Sequence, residues 1–301
     1  MNKSVLGVFQ SPKGHWVGDG FPVRSLFSYE RQGLQTSPFL LLDYAGPMQF
    51  APAAEPRGVG EHPHRGFETV TIVYQGEVAH RDSAGNGGVI GPGDVQWMTA
   101  ASGVLHDEFH SPEFTRRGGA LEMVQLWVNL PAEHKMSKPR YQSILNAHIP
   151  QVALPAGAGS VRVIAGDYAG EKGPAATFTD LNVWDLRLAA GNQITLRIPA
   201  GHIAAIAVLH GAIAANGARV AKDAELVLFE RNGDEIAIAA HAHSTLLVLS
   251  GAPIAEPIAG YGPFVMNTRQ EIEAAMQDFR AGKFGQIVVP ARGAEAAPAP
   301  T

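Results

Sequence analysis

Short apolar runs rich in Val, Ile and Leu recur along the whole chain, and its 34 glycines and 21 prolines cut them at close intervals. Many short runs bounded by turn residues predict strands, and many such strands predict a sandwich or barrel. Thr69–Tyr74 (T-V-T-I-V-Y) is β-branched and aromatic throughout and predicts a strand. Leu121–Val128 (L-E-M-V-Q-L-W-V) predicts another, with the blurred alternation of a strand buried on both faces. Gly85-Asn86-Gly87-Gly88 and Gly91-Pro92-Gly93-Asp94 are turns. From Asn129 to Pro155 the pattern lapses into a polar stretch broken by Pro131, Pro139 and Pro150, which marks a link between domains.

Further strands are expected at Val161–Ile164, Leu181–Leu188, Gln193–Ile198, Ala204–Leu209, Leu226–Phe229, Ile236–Ala239 and Thr245–Leu249. The order of features repeats. A strand leads to a glycine (Gly76, then Gly211), and a later strand follows a turn (Gly91–Asp94, then Arg231–Asp234), as expected of an internal duplication. One helix is signalled by the capping box Thr268-Arg269-Gln270-Glu271, with Ile272, Met276 and Phe279 on its apolar face and Gly282 as its stop. The expected plan is an N-terminal domain over 1–140, a linker over 141–157, a second domain over 158–290 and a disordered tail over 291–301.

Composition narrows the classes. A net charge of -5, with no run of like charges, argues against nucleic-acid binding. With no cysteine there are no disulfides, thiolate ligands or Cys nucleophile. The N-terminus lacks the apolar core and cleavage site of a signal peptide, and no apolar run approaches the roughly 20 residues that span a bilayer. The expectation is a cytoplasmic protein, monomeric because two barrels can cover one another, with no membrane contact. Phosphate-binding loops and serine-nucleophile elbows are absent from the sequence.

The chemistry concentrates between Gly58 and His110. His62 and His64 stand two residues apart, as do His106 and Glu108. On a strand such pairs point to one side, so each can aim two ligands at one point. Three imidazoles and a carboxylate suit a first-row transition ion rather than Mg or Ca. Glu68 has the same parity as His62 and His64, so spacing alone leaves Glu68 and Glu108 open as the carboxylate ligand. His110 is a spare partner to the site or a strand-end residue, and Asp107 an outward charge. In the second half His241 and His243 repeat the pattern. Only His202 stands where a partner pair would be needed, so the second domain is expected to be free of metal. Phe50, Phe67, Trp97, Met98, Met123 and Trp127 are candidates to line an apolar pocket, and Arg65 and Arg81 to orient an anionic group.

His62-Pro63-His64-Arg65-Gly66-Phe67-Glu68-Thr69-Val70 resembles the pirin family of the cupin superfamily. So do P-F-L-L-L-D at 38–43, G-x-x-H-x-E at 103–108, L-W-V-N-L-P at 126–131 and E-P-I-x-x-Y-G-P-F-V-M-N-T at 256–268. The general cupin motifs agree only in part. Gly76 closes the first motif one residue late, and Pro92 and Gly93 lie well before Gly103 and His106. The resemblance implies an all-β bicupin, two jelly-roll barrels in tandem with a short C-terminal helix. It implies a metal on His62, His64, His106 and Glu108, Fe(II) foremost, with Mn, Ni, Cu and Zn as alternatives. It also implies a quercetin 2,3-dioxygenase activity on a flavonol-like substrate and O2, with Glu108 or Glu68 as general base. The alternative is an iron-dependent redox sensor that binds a transcription factor or metabolic enzyme.

Overall fold

The computed structural model describes residues 1–11 and 13–288; the tail expected at 291–301 lies outside the described residues. β1 (Val5–Gln10) is followed by β2 (His15–Val17), β3 (Phe21–Ser28), β4 (Phe39–Phe50), β5 (Gly58–His64), β6 (Phe67–Gln75), β7 (Val78–Asp82), β8 (Gly87–Ile90), β9 (Val95–Thr99), β10 (Val104–His110), β11 (Gly119–Asn129) and β12 (Arg140–Ile144). Then come β13 (Gln151–Ala153), β14 (Gly159–Ala165), the hairpin of β15 (Asp167–Tyr168) and β16 (Glu171–Lys172), β17 (Leu181–Leu188), β18 (Gln193–Arg197), β19 (Ile203–His210), β20 (Ala212–Ala215), β21 (Ala221–Lys222), β22 (Glu225–Phe229), β23 (Glu235–Ala240) and β24 (Ser244–Gly251). A last hairpin, β25 (Ala259–Tyr261) and β26 (Phe264–Met266), leads into the C-terminal helix Arg269–Arg280.

These strands make two barrels of one design. In the first, a sheet ordered β12-β9-β6-β11-β4-β3-β2 is backed by β5-β10-β7-β8. In the second, β1-β22-β19-β24-β17-β14-β13 is backed by β18-β23-β20-β21. The two orders correspond strand for strand, so the repeat expected from the sequence is a repeat of topology. Gly76 and Gly211 serve equivalent turns, both at positive φ, and a Cβ on Gly211 would lie 2.4 Å from the His243 carbonyl oxygen.

Three segments depart from the expected domain plan. β1 lies in the span expected to form the first domain, yet it pairs with β22 of the second barrel, Val8 opposite Val227. There it fills the place that β12 fills in the first. Lys3, fully buried, anchors it by donating to the carbonyls of His202 and Arg231 at 3.0 and 3.2 Å. The expected linker is mostly ordered, since β12 pairs with β9 and β13 with β14. The span 158–290 also divides. Its strands to Gly251 build the second barrel, whereas Phe264, Met266, Ile272 and Phe284 pack on Leu105 of the first.

Between the barrels lies a shared apolar layer. Val70 and Ile72 of β6, Trp97 of β9 and Leu126 of β11 meet Val183 of β17, Ala205 of β19 and Leu247 and Leu249 of β24, all at most 1% exposed. The alternate residues Leu246 and Val248 fill the second barrel. A strand covered on both faces carries apolar residues at both parities, which explains the blurred alternation. Polar contacts hold the register: Tyr44 Oη donates to the Leu209 carbonyl at 3.2 Å, and Arg162 pairs with Asp185 at 2.8 Å while reaching the Gly93 carbonyl.

The C-terminal helix begins as expected, with Thr268 accepting from the Glu271 N–H and Glu271 accepting from the Thr268 N–H. Ile272 is buried and Met276 packs beside it. Phe279 differs from expectation: it is 41% exposed and touches Phe264 and Phe284 only along its edge of the cluster.

Leu249→Ala should cost about 2–5 kcal/mol, because a fully buried leucine between two sheets leaves a cavity that neither sheet can close. Chemical denaturation would measure it. A loss below about 1 kcal/mol would mean that the layer relaxes and is not a fixed junction.

Candidate metal centre

β5 and β10 pair antiparallel, and their register puts His106 opposite His62 and Val104 opposite His64. The three imidazoles therefore meet at one barrel end, with ring centroids 4.2 Å apart for His62–His106, 4.8 Å for His64–His106 and 4.9 Å for His62–His64. Gly66, in the turn between β5 and β6, has φ +89°, and a Cβ there would lie 2.0 Å from the Val265 carbonyl oxygen. Only glycine lets the C-terminal segment close over this turn.

Each ring has its Nδ1 engaged. His62 Nδ1 is 2.8 Å from the Gly60 carbonyl oxygen, His64 Nδ1 is 3.4 Å from that of Pro263, and His106 Nδ1 is 3.4 Å from His80 Nδ1. The Nε2 atoms of His64 and His106 are buried and have no hydrogen-bond partner among the described residues. Burial holds both rings well below the usual imidazole range, and their neighbouring imidazoles push the same way. The result is neutral rings with free Nε2 lone pairs, the donor set a divalent transition ion requires. The residues fit such an ion. His62, half-buried, is the member nearest solvent.

Glu108 lies beside this trio. It forms a second triple with His106 and His80, all buried, with potential ligand atoms within 4.8 Å of one another. Glu108 Oε1 accepts from Thr71 Oγ1 at 3.3 Å and Oε2 from Gln125 Nε2 at 2.8 Å. Glu68 lies elsewhere. Thr71 points into the barrel, so Glu68, at the opposite parity on β6, faces out with Val70 and Ile72. It accepts from Thr99 Oγ1 at 2.7 Å and lies 3.9 Å from Arg140. The parity expected to bring Glu68 to the histidines fails because the chain turns at Gly66 between β5 and β6.

Sequence reading missed His80, Thr71 and Gln125. His80 is 1% exposed, stacks on Tyr141 at 5.2 Å and places Nε2 3.5 Å from Asp82 Oδ2. Asp82 is itself fixed by the backbone N–H groups of Ala84 and Asn86, both at 2.9 Å. The chain Asp82–His80–His106 thus orients a ring of the trio from behind, as outer partners do for metal-bound histidines. The available signal was the i, i+2 spacing of His80 and Asp82 on one strand.

The other candidates sort by strand face. Phe67 and Trp127 wall His64, with ring centroids at 5.1 and 5.4 Å. Met98 faces the same interior against Tyr141, and Phe50 and Met123 fill the far end of the barrel. Trp97, expected in the pocket, is in the layer between barrels. His110 is structural, its Nε2 3.0 Å from the Gly20 carbonyl oxygen and its ring against Phe50 at 4.6 Å. Arg65 clamps the C-terminal helix through Asp278 at 2.9 Å, and Arg81 pairs with Asp107, so neither serves the centre. His241 and His243 occupy an exposed turn. Around the centre, Thr69 Oγ1, both side-chain polar atoms of Gln96, Trp127 Nε1 and Tyr141 Oη are buried without partners among the described residues. Such a concentration of unpaired polar atoms marks an interior built to meet polar ligand groups or water.

Comparison with known proteins agrees with this architecture. The family model described as Pirin matches residues 20–128, and that described as Pirin C-terminal cupin domain matches residues 183–285. A Pseudomonas aeruginosa protein provisionally named a quercetin 2,3-dioxygenase is 58% identical over 282 residues, 94% of this chain and 98% of that one. A pirin-like protein of Solanum lycopersicum is 38% identical, covering 89% of this chain and 88% of its own. A crystal structure of quercetin 2,3-dioxygenase from Acinetobacter baumannii superposes with a TM-score of 0.94 at 55% identity, covering 96% of this chain and 100% of that one.

Two outcomes are expected here. His80→Ala should weaken metal binding about 10- to 100-fold while leaving the trio in place, read by competition with a chelator; unchanged affinity would remove His80 from the centre. Burial raises the Glu68 carboxyl from 4.5 to about 7. The folded chain thus holds a proton that the unfolded chain releases near 4.5, so the Glu68 contribution to stability falls as pH rises from 4.5 to 7, opposite in sign to that of the buried His64 and His106. Glu68→Gln should remove that falling contribution, shifting the pH dependence relative to wild type by up to about 3 kcal/mol over the interval. Denaturation curves at the two pH limits measure it, and an unchanged slope would place the raised carboxyl elsewhere.

Proposed function

The chain belongs to the pirin family, and on that footing we propose that it is a metal-dependent dioxygenase of the quercetin 2,3-dioxygenase type. The observation that carries the reading is the convergence of His62, His64 and His106, the last two with free buried Nε2 atoms, beside the aromatic wall of Phe67 and Trp127. The names of the Pseudomonas and Acinetobacter relatives support it.

In this reading His62, His64, His106 and Glu108 hold the ion, Fe(II) foremost and Mn, Ni, Cu or Zn as alternatives. When bound, the ion supplies Lewis-acid polarisation of a substrate hydroxyl and a template for O2. The protein does the rest. The flavonol enters past His62, the most open of the trio. Its planar rings lie against Trp127 and Phe67, themselves 4.3 Å apart. The Trp127 indole N–H and the Tyr141 hydroxyl, both unpartnered, donate to its oxygens. Glu108 takes the 3-hydroxyl proton as general base. Thr71 and Gln125, each donating one hydrogen bond to Glu108, fix its carboxylate for that task. Glu68, facing the second barrel, has no part in the chemistry. Ring opening consumes one O2 and releases one carbon monoxide with the depside.

Aerobic incubation of quercetin with Fe(II)-loaded protein should remove the flavonol absorbance and release carbon monoxide. Turnover should vanish in His62→Ala together with bound metal. In Glu108→Gln it should fall by about 100-fold or more, while Glu68→Gln stays close to wild type. Absence of turnover from a fully loaded site, with each of the five ions, would refute the enzymatic reading. A difference in captured partner proteins between the ferrous and ferric forms would then support the redox-sensing alternative.

A further inference from the structure

Lys135 breaks the rule that a buried charge is paired. It is 1% exposed, and among the described residues no carboxylate lies within ion-pair distance of it. Burying an ammonium without a counter-ion is costly. Here burial lowers Lys135 to about 8, against the distant pull of Glu256 and Glu271. Three acceptors offset that cost. Nζ donates to the Gly66 carbonyl at 2.7 Å, to the Asn129 side-chain carbonyl at 2.6 Å and to the Val265 carbonyl at 3.0 Å, so each ammonium proton has a partner. Lys3 uses the same device to anchor β1. What sets Lys135 apart is the pair of segments it joins.

Gly66 follows His64 by two residues, and Val265 follows Pro263 by two. Between these points the two segments run parallel. The Pro263 carbonyl accepts from the Arg65 N–H at 3.3 Å, and the Arg65 carbonyl from the Val265 N–H at 3.0 Å. Lys135 closes this short ladder by holding the next carbonyl on each side, those of Gly66 and Val265. The site stands at the ladder's other end, where the Pro263 carbonyl also lies 3.4 Å from His64 Nδ1. A carbonyl oxygen accepts and cannot donate, so this contact favours the ring proton on Nδ1 and leaves Nε2 as a lone pair. That Nε2 is buried and has no partner among the described residues. The carbonyl comes from a segment 199 residues away in sequence, so its place at the ring depends on what pins the hairpin to the end of β5.

We propose that Lys135 is a positioning residue of the metal centre. By pinning the β25–β26 hairpin to the Gly66 turn, it keeps the Pro263 carbonyl against His64 Nδ1, and His64 thereby presents Nε2 to the ion. The inference rests on the reading that the histidines hold a metal, and adds to it a residue that acts on a ligand through two backbone segments.

Zn(II), which has no redox chemistry, is the probe. Lys135→Met keeps a side chain of similar length and removes all three donors. Chelator competition should show its Zn(II) affinity about 10-fold or more below wild type. Leu249→Ala loosens the fold from the layer between the barrels and should bind Zn(II) as wild type does. In the wild-type apoprotein, histidine-ring nitrogen NMR should report His64 as the Nδ1–H tautomer, a readout that stands even where Lys135→Met fails to fold. In folded Lys135→Met the Nε2–H form should grow in. Wild-type affinity in folded Lys135→Met, an equal loss in Leu249→Ala, or an Nε2–H tautomer at wild-type His64 would each overturn the inference and leave the metal reading intact. A wild-type protein that takes up no Zn(II) would refute the metal reading and this inference with it.

Discussion

The apolar layer between the two seven-stranded sheets is the constraint from which the remaining structure follows. Each barrel offers one broad face that its own interior does not use, and burying two such faces together removes both from water at once. Trp97, Val70 and Leu126 on one side and Val183, Leu247 and Leu249 on the other become core residues of the pair rather than of either barrel. With those faces committed, ligands can reach a barrel only through its ends. The histidines occupy an end of the first barrel. Segments distant in sequence stitch the junction, with β1 completing the second barrel and the C-terminal hairpin and helix covering the first.

Within the first barrel, strand alternation divides labour residue by residue. On β6, Thr71 turns inward to hold Glu108, while Glu68 turns outward into the layer, where burial raises its carboxyl to about 7. The polar interior is costly in isolation, since unpaired buried donors and acceptors each sacrifice their hydration. Thr69, Gln96, Trp127 and Tyr141 carry such atoms around neutral imidazoles. Rules that a core should obey are relaxed here, as happens at functional sites. In the second barrel the inward positions on and just after β18, and on β23, carry Leu196, Ile198, Ile236 and Ile238 instead of histidines. A duplicated scaffold thus carries a polar end in one barrel and an apolar filling in the other, because side chains at strand ends can change without disturbing the apolar positions that hold the barrel.

The sequence by itself determined the all-β class, the strand positions and the repeat, because β-branched runs between glycine turns leave the backbone few alternatives. Leu181–Leu188 coincides with β17 to the residue, and the capping box at Thr268 starts its helix as written. The clustering of the histidine trio was legible for the same local reason: on a paired strand, i, i+2 spacing fixes a common side, and His62, His64 and His106 obey it.

Tertiary structure decided what spacing cannot carry past a turn or across a sheet. The turn at Gly66 reverses the meaning of parity for Glu68. His80 joins His106 only because β7 and β10 are neighbours in the four-stranded sheet. Trp97 reads as a pocket residue until the second barrel arrives to cover it. β1 and the C-terminal segment each serve the barrel other than the one expected from their place in the chain, since long-range pairing is set by which edge or face remains unburied. Local periodicity specifies which side of a strand a residue takes; only the packed molecule specifies what lies on that side.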